Sequence, residues 1–90
     1  MNDSVFRALS DPTRRKILEL LAKGDKSAGE IAEKFPVAFA SVSHHLGVLR
    51  SAGLVATERQ GQSIVYRLDT TVYQELMRSL LEMFGKDPHA

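Results

Sequence analysis

Ser41, Ser43, His44 and His45 stand within one five-residue stretch, and no acidic residue occurs between Glu33 and Glu58. Hydroxyls and imidazoles are short groups that hydrogen-bond to phosphate oxygens or to the edges of bases. A surface meant for a polyanion must also keep carboxylates away, because each would face phosphates. On a helix, Val42, Leu46 and Leu49 share one face, and Ala40, Ser41, His44, Gly47 and Ser51 fall on or near the opposite one. That outer face is small, polar and weakly basic, whereas a helix facing only solvent usually carries Lys and Glu. The pattern suits a helix lying in the major groove of a duplex, with His44 turned outward to a base or a phosphate. His45 lies nearer the apolar face and reads as a polar residue at the core margin. The two histidines do not make a metal site, because neighbours on a helix are about 100° apart.

The elements that must hold this helix are legible on either side of it. Val5, Phe6 and Leu9 predict a short first helix. Asp11-Pro12 reads as an N-cap with Pro at the first helical position. Ile17, Leu18 and Leu21 line that second helix, which Gly24 ends. Ser27 and Glu30 have capping-box spacing, and Ala28, Ile31, Ala32 and Phe35 follow at helical intervals up to Pro36. The fourth helix should run from about Ala38 to Ala52, closed by Gly53. From Leu54 the apolar period changes to two. Two strands flank Gln60-Gly61, which predicts a β-hairpin. Asp69-Thr-Thr opens a last helix striped with Val72, Tyr73, Leu76, Met77, Leu80, Leu81 and Phe84, followed by a frayed Lys86-Asp-Pro-His-Ala tail. Two helices joined by a tight turn are a helix-turn-helix.

Bulk properties narrow the function. Ninety residues predict one domain spanning 1–90, with a modest core. Cys is absent, so neither disulfides nor thiolate metal ligands are available, and association with a second copy is the expected support. The net charge of +1 says little, but its distribution says more: seven of the 11 acidic residues lie outside residues 20–60. No signal peptide opens the chain, and no apolar run approaches the ~18 residues of a membrane span. A cytoplasmic protein without direct membrane insertion is expected. No nucleophile–base set, carboxylate pair or Gly-rich phosphate loop appears, so the chain is not expected to be an enzyme and needs no cofactor.

Three stretches together resemble the ArsR family of winged helix-turn-helix repressors. They are Leu9-Ser-Asp-Pro-Thr-Arg-Arg-Lys-Ile-Leu18, Val42-Ser-His-His-Leu-Gly-Val-Leu-Arg-Ser-Ala-Gly-Leu-Val55 and Arg59-Gln-Gly-Gln-Ser-Ile-Val-Tyr-Arg-Leu68. The resemblance implies a mostly α fold with a small β-hairpin, in the order α-α-α-α-β-β-α. The fourth helix would be the recognition helix and the hairpin the wing. It implies a homodimeric repressor on a palindromic operator in double-stranded DNA. The DNA-binding residues would be Ala40, Ser41, Ser43, His44, Arg59 and Gln62. The terminal helices would form the dimer interface through Val5, Phe6, Leu9, Tyr73, Leu76, Met77, Leu80 and Phe84. The alternative is a protein-interaction winged helix that does not use DNA.

The chain also departs from the family it resembles. Metal sensors there often carry Cys-x-Cys at the start of the third helix, where this chain has Ser27 and Gly29. Others carry Asp-x-His and further ligands on the terminal helix, where Thr70, Val72, Met83 and Lys86 stand. None of these suits Zn²⁺. The resemblance is therefore to metal-independent, autorepressor-like members, whose inducer would be a protein or small molecule that this sequence does not identify. Ala38 stands where Ser, Thr or Asp would cap the recognition helix. Phe39 stands where a polar residue, often Gln, is common; its ring either packs on the core edge or meets a thymine methyl. Two readings stay open elsewhere. Arg59, Gln60 and Gln62 belong to a solvated hairpin or to a wing that reaches DNA. Arg14 and Arg15, cations at a helix start, answer a phosphate or a salt bridge to Asp11 or Glu19.

Overall fold

The computed structural model describes residues 3–85, so Lys86 and the tail lie outside the described residues. Helix α1 (Asp3–Leu9) leads into α2 (Pro12–Leu21), β1 (Lys26–Ser27), α3 (Ala28–Ala32), α4 (Phe39–Ser51), β2 (Val55–Gln60), β3 (Ser63–Leu68) and α5 (Thr70–Met83). The helix starts follow from their caps. The Asp11 carboxylate accepts from the Arg14 backbone N–H ahead of Pro12. Ser27 and Glu30 form the reciprocal capping box, at 3.2 and 2.9 Å. These backbone donors are the main reason that both carboxyls titrate below their ordinary values. Their contribution to stability is therefore present at neutral pH and lost as pH falls through the lowered values.

One core holds the elements together. Val5 and Ala8 of α1, Ile17, Leu18 and Leu21 of α2, Ile31 of α3, Val42, Leu46 and Leu49 of α4, and Leu54 and Val55 are all buried. Of Val5, Phe6 and Leu9, which the sequence reading assigns to a surface for a second copy, Val5 is buried one helical turn from Ala8, Phe6 is exposed and Leu9 packs at the core edge. Helix α3 is shorter than its apolar spacing suggests. The Lys34 and Phe35 N–H groups bond three residues back, tightening the chain into a turn before Pro36.

The sheet has order β1-β3-β2, antiparallel throughout. Strands β2 and β3 form the expected hairpin, from Val55↔Leu68 to Gln60↔Ser63. Its two-residue turn puts Gly61 first with φ 62°, as a type II′ turn requires. Strand β1 is a third strand, beyond the hairpin that the sequence pattern predicts. It pairs Lys26 with Tyr66 and Ser27 with Val65, fastening the start of α3 to the wing.

Helix α4 ends in a Schellman turn: Leu54 N–H bonds to Leu49 O and Gly53 N–H to Arg50 O. Gly53 has φ 79°, and a Cβ there would lie 3.3 Å from Val72 Cγ2 of α5. The Asp69 N–H then bonds to Leu54 O, so the two ends of the wing and the start of α5 meet at one point.

Helix α5 is held only by its first half. Val72, Tyr73 and Leu76 pack against the core, yet no residue of the helix is buried. Met77 is 64% exposed, Leu81 52% and Phe84 67%. The radius of gyration is 14.5 Å, against about 12 Å for a compact chain of this length.

Gly53→Ala places an L side chain in the left-handed region against Val72. It should destabilise the protein by about 1–2 kcal/mol, read as a lower urea midpoint; an unchanged midpoint would mean that the turn relaxes freely.

Candidate nucleic-acid interface

The buried trio Val42, Leu46 and Leu49 fixes the roll of α4 about its axis. Everything on the far side is exposed as a consequence: Phe39, Ala40, Ser41, Ser43, His44, Gly47, Arg50 and Ser51. Four of the expected contact residues, Ala40, Ser41, Ser43 and His44, thus share one open surface. Arg59 is exposed near the end of β2 and Gln62 within the wing turn itself. The Arg59 Nε donates to Gly61 O at 3.3 Å, which folds the side chain over the tip. Arg67 is engaged by Glu58 at 3.2 Å across the hairpin, an exposed pair of small energetic consequence.

Helix α4 has no side-chain cap. Ala38 is extended, with φ −62° and ψ 147°, and its methyl group accepts nothing. The Ser41 and Val42 N–H groups both bond to Ala38 O. At the other end Arg50 complements the carboxyl-terminal dipole.

The two histidines differ more than their adjacency suggests. Their rings are 5.7 Å apart and inclined at 56°. His44 is exposed and borders an open cleft of about 500 Å³, shared with Ser4 and Arg7 of α1 and with Gly47, Val48, Ser51 and Ala52. His45 is half-buried and meets the Arg14 Nη1 at 3.1 Å through Nδ1. A guanidinium only donates, so Nδ1 is the acceptor and the ring proton belongs on Nε2. Asp11 Oδ2 lies 4.0 Å from the same Nδ1.

Arg14 proves to be the joint between three helices. Its Nε donates to Ala8 O at 2.7 Å and its Nη2 to Arg7 O at 3.1 Å, while Nη1 serves His45 of α4. Arg15 likewise reaches Leu9 O at 2.7 Å. Both arginines therefore satisfy carbonyls at the end of α1, where a helix dipole favours cations. Neither a phosphate nor a salt bridge is needed to explain cations at the start of α2. The sequence concealed this because Arg14 and His45 are 31 positions apart.

The positions that would carry metal in a sensor hold Ser27, Gly29, Thr70, Val72 and Met83. Among the described residues no cluster of three or more His, Cys, Asp or Glu side chains converges on a point.

Comparison with known proteins gives this surface a context. Residues 11–57 match the family of bacterial regulatory proteins called the arsR family. The chain is 49% identical over 84 residues to the transcriptional repressor SdpR of Bacillus subtilis (strain 168), covering 93% of each chain. Its fold superposes on an ArsR-like transcriptional regulator from Rhodococcus sp. RHA1 with a TM-score of 0.86 at 36% identity, covering 91% of this chain and 75% of that one. The transcriptional repressor BigR from Xylella fastidiosa gives a TM-score of 0.70 at 32% identity, with 90% and 83% covered.

Gly47 is an outer-face residue that packing within the protomer does not explain. It sits mid-helix, and a Cβ there would meet nothing within 4 Å. Ala would be worth about 0.8–1 kcal/mol more in a helix interior. Gly47→Ala should therefore raise the urea midpoint while weakening duplex binding, if the glycine is there for a close approach. A variant both more stable and equally tight on DNA would remove Gly47 from the interface.

Proposed function

Since this chain belongs to the arsR family of bacterial regulatory proteins, we propose that it works as a homodimeric transcriptional repressor without metal sensing, on a palindromic operator. Helix α4 enters the major groove. Ala40, Ser41, Ser43 and His44 contact bases and phosphates, and the wing brings Arg59 and Gln62 to the flank. The observation that carries this reading is the exposed, carboxylate-free face of α4, rolled outward by its buried trio. The relative named as a transcriptional repressor supports the sign of regulation.

The dimer follows from the uncovered half of α5. Met77, Leu80, Leu81 and Phe84 line one apolar depression that stays open among the described residues. Phe6 adds to the exposed apolar surface from α1, with Leu9, Tyr73 and Leu76 behind. A two-fold pairing through these helices would hide them and set two α4 helices about one DNA turn apart, ~34–36 Å. Val5 is committed to the core and belongs to this interface only indirectly. Neutral Ser27, Thr70 and Val72 and the thioether of Met83 argue for a signal other than Zn²⁺. No helix among the described residues is long and apolar enough to cross a membrane, which fits work in the cytoplasm.

Two experiments test this. Fluorescence anisotropy on duplexes selected by the protein from a random pool should show that Ser43→Ala and His44→Ala each weaken specific binding by about 1–3 kcal/mol. Random duplex should be affected little, and micromolar Zn²⁺ should leave the wild-type affinity unchanged. Equal losses on both duplexes would reassign these residues to backbone positioning. Sedimentation equilibrium tests the dimer. Met77→Asp alters a side chain that is largely exposed in the protomer, so the protomer should keep its stability within about 0.5 kcal/mol. Dimerisation should weaken by about 3 kcal/mol or more. A wild type that is monomeric at micromolar concentration would overturn the architecture.

A further inference from the structure

Among the described residues, apart from Ile64 in the wing and Met83 at the end of α5, the exposed large apolar residues fall into two groups. Phe6, Met77, Leu81 and Phe84 belong to the surface proposed for the second copy. Val37 and Phe39 do not. They sit in the turn before α4 and at its first residue, 44% and 56% exposed. More than half of Phe39 is open to solvent, and the residue lies outside the buried cluster. Burial in the protomer core thus does not account for a phenyl ring at this place.

The position itself supplies one. The first residues of a recognition helix are those that reach base edges in the major groove. Phe39 lies one turn before Ser43, about 40° from it around the helix axis, so the ring borders the polar face already described. Pro36 precedes the pair and limits the turn that carries it. No carboxylate lies nearby in the chain between Glu33 and Glu58. Phe has no hydrogen-bonding group, and the base-edge feature that matches an apolar side chain is the C5-methyl of thymine.

We propose that Phe39, with Val37 beside it, reads the C5-methyl group of a thymine in each half-site, and that this contact sets the base preference at the edge reached by the start of α4. The proposal rests on the major-groove placement of α4 given above. Deoxyuridine is the probe, because it keeps the Watson–Crick edge of thymine and lacks only the methyl.

The experiment uses the full chain and a duplex selected from a random pool by the wild-type protein. Each thymine pair, at symmetry-related positions, is replaced in turn by deoxyuridine. Wild type should lose about fourfold in affinity per half-site at one such position, the equivalent of ~0.8 kcal/mol for one buried methyl. Phe39→Ala should bind the thymine duplex more weakly and no longer distinguish it from that deoxyuridine duplex. Phe39→Leu, which keeps an apolar side chain, should retain part of the discrimination. Thermal melts check that the variants stay folded. If no deoxyuridine position separates wild type from Phe39→Ala, the proposal is overturned even though DNA binding stands. Full affinity in Phe39→Ala would likewise overturn it and leave the exposed pair to a protein partner. Absence of salt-dependent duplex binding by wild type would instead overturn the DNA reading on which it rests.

Discussion

The depth at which Val42, Leu46 and Leu49 sit in the core is the constraint on which the rest depends. Each is essentially inaccessible to solvent, and burying such side chains is worth about 1.5–3 kcal/mol apiece. A rotation of α4 by one residue, about 100°, would bring His45 or Ser43 into the core and expose a leucine. The unsatisfied polar group and the lost burial would both oppose it. The face offered to solvent is therefore a by-product of core packing, and it needs no stabilising contacts of its own. That freedom is what lets it be composed largely of serine, histidine and glycine, with Ala40 and Arg50 as its strong helix formers. Gly47 and the uncapped Ala38 are both costs to the helix, and α4 carries them because the core trio holds it from below.

Position along the helix axis is set by other means. Arg14 ties α4 to the end of α1 and the start of α2 through three acceptors. These bonds are part-buried or exposed and individually modest, roughly 1 kcal/mol net. Their value is geometric, because one planar guanidinium fixes the relative placement of three helices. At the other end of α4, the Gly53 turn and the Leu54–Asp69 bond hold the wing and α5 in place. Helix α4 is thus pinned by a polar joint on one side, a glycine turn at its end and an apolar floor beneath.

Local pattern revealed α4 almost to the residue: 38–52 was expected and Phe39–Ser51 is observed. Pro36 and Gly53 bound it, and both act through backbone sterics that do not depend on tertiary context. The caps at Asp11, Ser27 and Asp69 were legible for the same reason. What stayed hidden needed a partner distant in the chain. Strand β1 is two residues long, too short for any period, and exists because β3 offers it an edge. The Arg14–His45 bond pairs a cation that looked misplaced with a histidine that looked unremarkable. Val5 and Phe6 are adjacent and both apolar, and only the roll of α1 separates a core residue from a surface one. Phe39 was ambiguous because helical periodicity says nothing of whether a first-turn side chain has anything beside it.

The two halves of the molecule leave surface uncovered in opposite ways. Helix α4 is committed along its whole length on one face and free on the other. Helix α5 is committed at its start, through Val72, Tyr73 and Leu76, and free at its end. The cap of α5 at Asp69 is bonded to the turn that closes α4, and Val72 lies against Gly53. The root of α5 therefore meets the end of α4 through a backbone bond and the approach of Val72 to Gly53, beside the Tyr73 and Leu76 side chains that pack on the core. The free apolar half of α5 extends from that root by about two turns of helix. Gly53, Leu54, Asp69 and Val72 thus join the helix whose outer half is uncovered to the helix whose outer face carries no carboxylate.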